Sequence, residues 1–158
     1  FDYEGEMVAV IGTGGRHISR ASALDHIAGY SVFNDGSLRD YQFKSPQWTS
    51  GKNFDGSGPL GPWIVPASDV PDPHNIDIKL WVNDSLEQDS NSKYLFFNIN
   101  EQIEYISARL TMRPGDVIAT GTPAGVGRPK GKHLNPGDTV TIELGGIGTL
   151  KNPVVQGD

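Results

Sequence analysis

Glycine and proline recur along most of this chain, with one long stretch free of both at 74–113, which favours short elements joined by tight turns. The 158 residues include 20 glycines and 11 prolines. They are dispersed among apolar segments, a pattern of turns between strands and not of disorder. The first segment is Glu4-Gly5-Glu6 running directly into Met7–Ile11. Successive side chains of a strand alternate faces, so Glu4 and Glu6 point the same way. Like charges side by side repel unless a cation lies between them, and a hard divalent ion such as Mg²⁺ favours carboxylate oxygen. Taken alone, the pair fits an exposed edge strand guarded by charge slightly better, because Glu-x-Glu pairs are common.

Further along, the periodicities separate strands from helices. Ile76, Ile78, Leu80 and Val82 alternate with Asp77, Lys79 and Trp81, which predicts a half-buried strand. Asn83-Asp84-Ser85 then turns into a second strand near Leu86–Gln88, forming a hairpin. Ile99, Ile103, Ile106 and Leu110 follow helical spacing and predict an amphipathic helix ending before Pro114. Ser19 is placed to cap another helix over 20–28, with Ala21, Leu24, Ile27 and Ala28 inward and Gly29 as its stop. Tyr30–Phe33 reads as a short strand, a short helix is expected from Ser37, and Ser45–Pro73 reads as ordered loop. Two Pro-Gly-Asp turns, at 114–116 and 136–138, launch the strands Val117–Thr120 and Thr139–Leu144. The expected fold is one strand-dominated α+β domain with two principal helices.

Charge and composition exclude several function classes. A net charge of −6 and a pI near 5.1, with scattered basic residues, argue against nucleic-acid or anionic-membrane partners. The absence of cysteine removes disulfides, thiolate zinc sites and a cysteine nucleophile. No apolar run reaches membrane-spanning length and no signal-peptide pattern is present. Because Phe1 comes first and the acidic strand follows almost at once, a fragment lacking upstream sequence is expected.

Several residues outside the first strand could carry chemistry. Asp35, Arg39 and Gln42 fall at i, i+4 and i+7, one face if the segment is helical. That grouping suits a metal ligand beside donors for an anionic substrate, or simply a capping aspartate with a solvated ion pair. Lys52 lies in a glycine-bounded loop, as many solubilising lysines do. The loop Thr120–Gly127 lacks the Gly-Lys-Ser/Thr ending of a nucleotide site, and Pro123 denies it one donor. It could still offer the Thr122 hydroxyl and backbone N–H groups to a carboxylate, or be a plain turn. The four histidines show no paired spacing, and no Gly-x-Ser-x-Gly elbow exists.

In order and wording these pieces resemble the fumarylacetoacetate hydrolase family. The matching stretches are Tyr3–Gly12, Ala23–Tyr30, Asn34–Asp40, Gly51–Asp55, Gly58–Trp63, Gln88–Asn91 and Pro114–Gly127. The resemblance implies a single catalytic domain over residues 1–158, built as a rolled, mixed β-sheet, cytoplasmic and homodimeric. It also implies that Glu4, Glu6 and Asp35 bind Mg²⁺ (or Mn²⁺, or Ca²⁺), while Arg39, Gln42, Lys52 and Thr122 face a small anionic ketoacid. Three carboxylates, one divalent ion, Arg39 and Lys52 would leave the site with one net positive charge. The implied chemistry is metal-dependent hydrolysis of a C–C bond in acylpyruvates or other β-diketo acids, in the breakdown of aromatic compounds or sugar acids. Lys52 and Gln42 would stabilise the developing oxyanion, and Thr122 or Arg39 would hold a carboxylate. Decarboxylation of oxaloacetate and isomerisation of hydroxymuconate-type diacids fit the same site, and a non-catalytic member is a third reading. In several family members a histidine and a glutamate on an upstream lid activate water, and none of the four histidines here matches that role. Gly36 and Leu38 also stand where valine and alanine are commoner.

Overall fold

The structure is a computed structural model that describes residues 1–157. Eight strands dominate it: β1 (Gly5–Ile11), β2 (Ile27–Asn34), β3 (Leu60–Pro66), β4 (Asp77–Val82), β5 (Ser85–Asn91), β6 (Val117–Ala119), β7 (Thr139–Leu144) and β8 (Gly148–Pro153). Two α-helices, α1 (Arg39–Gln42) and α2 (Ile99–Ser107), and several 3₁₀ turns connect them. The strands form two four-stranded sheets, ordered β3-β2-β1-β6 and β5-β4-β7-β8. The strand-dominated α+β roll is as expected. Every strand pairing is antiparallel, however, so the mixed sheet is corrected to two antiparallel ones.

The sheets enclose one core. On β1 the odd positions Met7, Ala9 and Ile11 join Leu80 of β4 and Ile142 of β7 in the main apolar cluster. A Cβ placed on Gly5 would lie 3.1 Å from Leu80 Cδ1, so this face of β1 packs directly on the second sheet. Each large side chain fully buried there contributes roughly 1.5–3 kcal/mol. The even positions, Glu4 and Glu6 among them, therefore turn away from the intersheet core. They are not exposed: Glu4, just before β1, and Glu6 within it are both buried, as is every residue of β1. The guarded-edge reading of the acid pair fails here, because β1 is a central strand flanked by β2 and β6.

Other expectations need adjustment. Arg20–His26 forms a 3₁₀ turn and not an α-helix, although Ser19 does cap it by accepting from the Ser22 N–H. Its inward residue is Ala23, while Ala21 and Ala28 are exposed, and β2 already begins at Ile27. The loop expected over Ser45–Pro73 contains β3, an edge strand where proline costs little because its outer side needs no N–H donor. Helix α2 ends at Ser107, leaving Leu110 exposed. No helix among the described residues is long and apolar enough to cross a membrane.

Candidate active site

Strand pairing assembles the acids. β1 and β2 run antiparallel with Gly5 opposite Asn34. One position further, the Asp35 N–H donates to the Glu4 carbonyl at 2.9 Å, and the Glu4 N–H donates to Asn34 Oδ1 at 3.0 Å. Asp35, just past the end of β2, thus stands beside Glu4. One oxygen from each of Glu4, Glu6 and Asp35 lies within 4.8 Å of the others.

Two cations compensate part of this charge. The Lys52 ammonium, brought in by the turn Trp48–Gly51, lies 2.8 Å from Glu4 Oε2 and 2.7 Å from Asp35 Oδ2. Arg39 Nη1 lies 2.6 Å from Glu4 Oε1 and donates to Gln42 Oε1, one turn along α1, at 2.9 Å. Arg39 Nη2 is buried without a hydrogen-bond partner. A buried donor left unpaired costs about 1–3 kcal/mol.

Glu6 is different. Among the described residues it has no ion pair, and it accepts one hydrogen bond, from the Gly121 N–H at 2.9 Å. Burial pushes its carboxyl up to about 8, against the Gly121 hydrogen bond, while the charges of Asp35 and Glu4 add to the rise and Lys52 opposes it.

The loop after β6 closes one side. Thr122 donates its hydroxyl to the Gly5 carbonyl at 3.0 Å and accepts from Gln88 Nε2 at 2.9 Å, so it braces the loop against β1. Gln88, almost wholly buried on β5, also accepts from the Gly5 N–H at 2.9 Å. The result is a depression of about 630 Å³. It brings together all seven residues expected from the sequence, with Phe43, Trp48 and Arg128 on its walls. None of the four histidines lines it.

Asp2 is the main residue that sequence reasoning missed. It is wholly buried, and its two oxygens accept four hydrogen bonds. Oδ2 takes Arg39 Nε at 2.9 Å and the Arg128 N–H at 3.0 Å, while Oδ1 takes the Tyr3 N–H at 2.9 Å and the Gly127 N–H at 2.8 Å. The available signal was the continued alternation Asp2-x-Glu4-x-Glu6. Asp2 also revises the charge count: with it in the network, the excess positive charge expected of the inner site disappears.

The donor set fits a hard divalent cation. It offers three oxygen ligands from one small volume, one of them a buried carboxylate without a positive partner.

A two-sheet roll with clustered acids at the mouth of one sheet defines a class of α+β domain with a carboxylate-lined depression. Within that class the match is specific: the family model described as Fumarylacetoacetate (FAA) hydrolase C-terminal covers residues 1–155, and the chain belongs to this family. Protein Rv2993c of Mycobacterium tuberculosis is 43% identical over 154 residues, covering 98% of this chain and 56% of that protein. The 5-carboxymethyl-2-hydroxymuconate delta-isomerase structure from Mycobacterium smegmatis matches with a TM-score of 0.90 and 42% identity, over 99% of this chain and 60% of its own. The fumarylpyruvate hydrolase from Pseudomonas aeruginosa, solved with Mn²⁺ and pyruvate, matches with a TM-score of 0.90 and 37% identity, over 98% of this chain and 65% of its own. The chain spans between 54% and 61% of the length of the curated relatives it matches.

Proposed function

We propose that this domain holds the metal and the ketoacid in a metal-dependent enzyme that cleaves a C–C bond in acylpyruvates or related β-diketo acids. The observation that carries this reading is the convergence of Glu4, Glu6 and Asp35 within 4.8 Å, beside the unpartnered Arg39 Nη2. Glu4, Glu6 and Asp35 would hold Mg²⁺, Mn²⁺ or Ca²⁺. A bound divalent ion would polarise the ketoacid oxygens and stabilise an enolate. Arg39 Nη2 would donate to the substrate carboxylate, with Gln42 and Asp2 holding the guanidinium in place. Lys52, once drawn from Glu4 and Asp35, would donate to the developing oxyanion. In hydrolysis, water adds to the acyl carbonyl and the adjacent C–C bond breaks. Its electron pair passes to the pyruvate enolate, which a proton then converts to pyruvate. No residue of the depression is assigned as the base that activates water.

Isomerisation of a hydroxymuconate-type diacid is a second reading, favoured by the 42% identity to the delta-isomerase against 37% to the hydrolase. A panel of acylpyruvates, oxaloacetate and hydroxymuconate-type diacids, run with Mn²⁺ or Mg²⁺ and again with chelator, separates the readings. Pyruvate release that stops on chelation is expected. Turnover indifferent to chelation would falsify the metal assignment, and a double-bond shift without pyruvate would select the isomerase.

A further inference from the structure

Three cations line the depression, and two are already committed. Lys52 pairs with Glu4 and Asp35, and Arg39 pairs with Asp2 and Glu4. Arg128, the third, has no ion pair among the described residues. It is nevertheless firmly held. Its backbone N–H donates to the Asp2 oxygen that also takes Arg39 Nε. The preceding Gly127 is pressed so closely on Asp2 that a Cβ there would lie 2.7 Å from Oδ1. At the far end, the guanidinium stacks 3.8 Å over the Phe43 ring, and Phe43 itself leans edge-on against Trp48.

Stacking occupies the face of a guanidinium and leaves its N–H groups free in the plane. An Arg fixed in this way, on the wall of the depression and without an ion pair among the described residues, can receive a carboxylate in bidentate fashion. The geometry points to Arg128 as the receptor for a second, distal carboxylate, so that the substrate is a dicarboxylic ketoacid and not one with a neutral tail. This rests on the reading of the inner site as a ketoacid site. It adds a residue that selects the tail.

Uncleavable ligands test it. Calorimetric titration of the Mn²⁺-loaded protein would compare 2-oxoglutarate, 2-oxoadipate and 2-oxopimelate with the monoacids 2-oxopentanoate, 2-oxohexanoate and 2-oxoheptanoate, with pyruvate as the tail-less control. At least one diacid is expected to bind about tenfold to a hundredfold tighter than its monoacid. Arg128→Gln should bring that ratio towards one, and Arg128→Lys should recover part of it. A ratio near one across the wild-type series, or an undiminished ratio in a folded Arg128→Gln protein, overturns the assignment of Arg128. Failure of pyruvate to bind the wild type overturns the ketoacid site itself, and Arg128 with it.

Discussion

At the scale of single residues, the inner site is a contest between carboxylates and the cations that can reach them. Lys52 bridges Glu4 and Asp35 at hydrogen-bonding distance, two of the three carboxylates proposed to hold a divalent ion. Lysine and a bound metal would therefore compete for these carboxylates. Replacing Lys52 by Met should leave metal binding intact or tighter, while turnover falls about a hundredfold to a thousandfold through loss of an oxyanion donor. Without metal, the same variant leaves like charges poorly compensated, so its melting temperature should drop by about 2–4 °C for each kcal/mol lost. Added Mn²⁺ should restore the loss. A variant that melts like wild type in chelator would show that Lys52 does not neutralise the cluster. Asp2 acts differently, because it holds Arg39 and two loop amides from a fully buried position. Asp2→Asn removes one partner of a buried ion pair and should cost about 3–5 kcal/mol in urea unfolding. A cost below 1 kcal/mol, roughly that of an exposed pair, would contradict its structural role.

At the scale of elements, sequence reading succeeded where one local force dominates. Helix α2 was legible because Ile99 and Ile103 face the core at helical spacing, and Asn98 and Glu101 form a reciprocal capping box. Asn98→Ala should cost about 1 kcal/mol, measurable as a shifted denaturation midpoint with unchanged slope. The alternation of β4 was equally direct, since one face is buried and the other partly exposed. Elements with weak local signals were missed. β3 carries Pro62 and Pro66, which argue against a strand until its edge position is known, and β8 opens on Gly148. The loop that closes the site depends on a tertiary contact no local pattern encodes. Gly125 has φ +111, and a Cβ there would lie 2.3 Å from the Glu87 carbonyl oxygen. Gly125→Ala should destabilise the protein by about 1–3 kcal/mol and weaken ketoacid binding by displacing Val126 and Arg128.

At the scale of the whole molecule, the roll gives β1 two buried faces, one against the second sheet and one carrying the acids. The cluster Glu4, Glu6 and Asp35 was legible from motif order. The residues that hold its surroundings in place, Asp2 and Gln88, were not, because they act across contacts formed only when the sheets close. Glu87 shows the same principle away from the site. From β5 it accepts from Lys130 at 2.7 Å and Lys132 at 2.6 Å, and the Tyr3 hydroxyl donates to it at 3.2 Å. It thereby ties the second sheet to the 125–132 loop and to the residues leading into β1. Hydrogen bonds from Lys130 and then Lys132 hold its carboxyl down to about 2, from an ordinary value of 4.5. A folded-state value below the unfolded one means that this contribution is complete above about 4.5 and disappears as pH falls towards 2. The lysines are partly exposed and screened by solvent, so its size is on the order of 1 kcal/mol. Glu87→Gln should therefore be less stable than wild type by that amount at neutral pH. The two stability curves should converge between pH 4.5 and 2. Parallel curves across that window, in matched urea titrations, would mean that Glu87 is not the anchor of the loop.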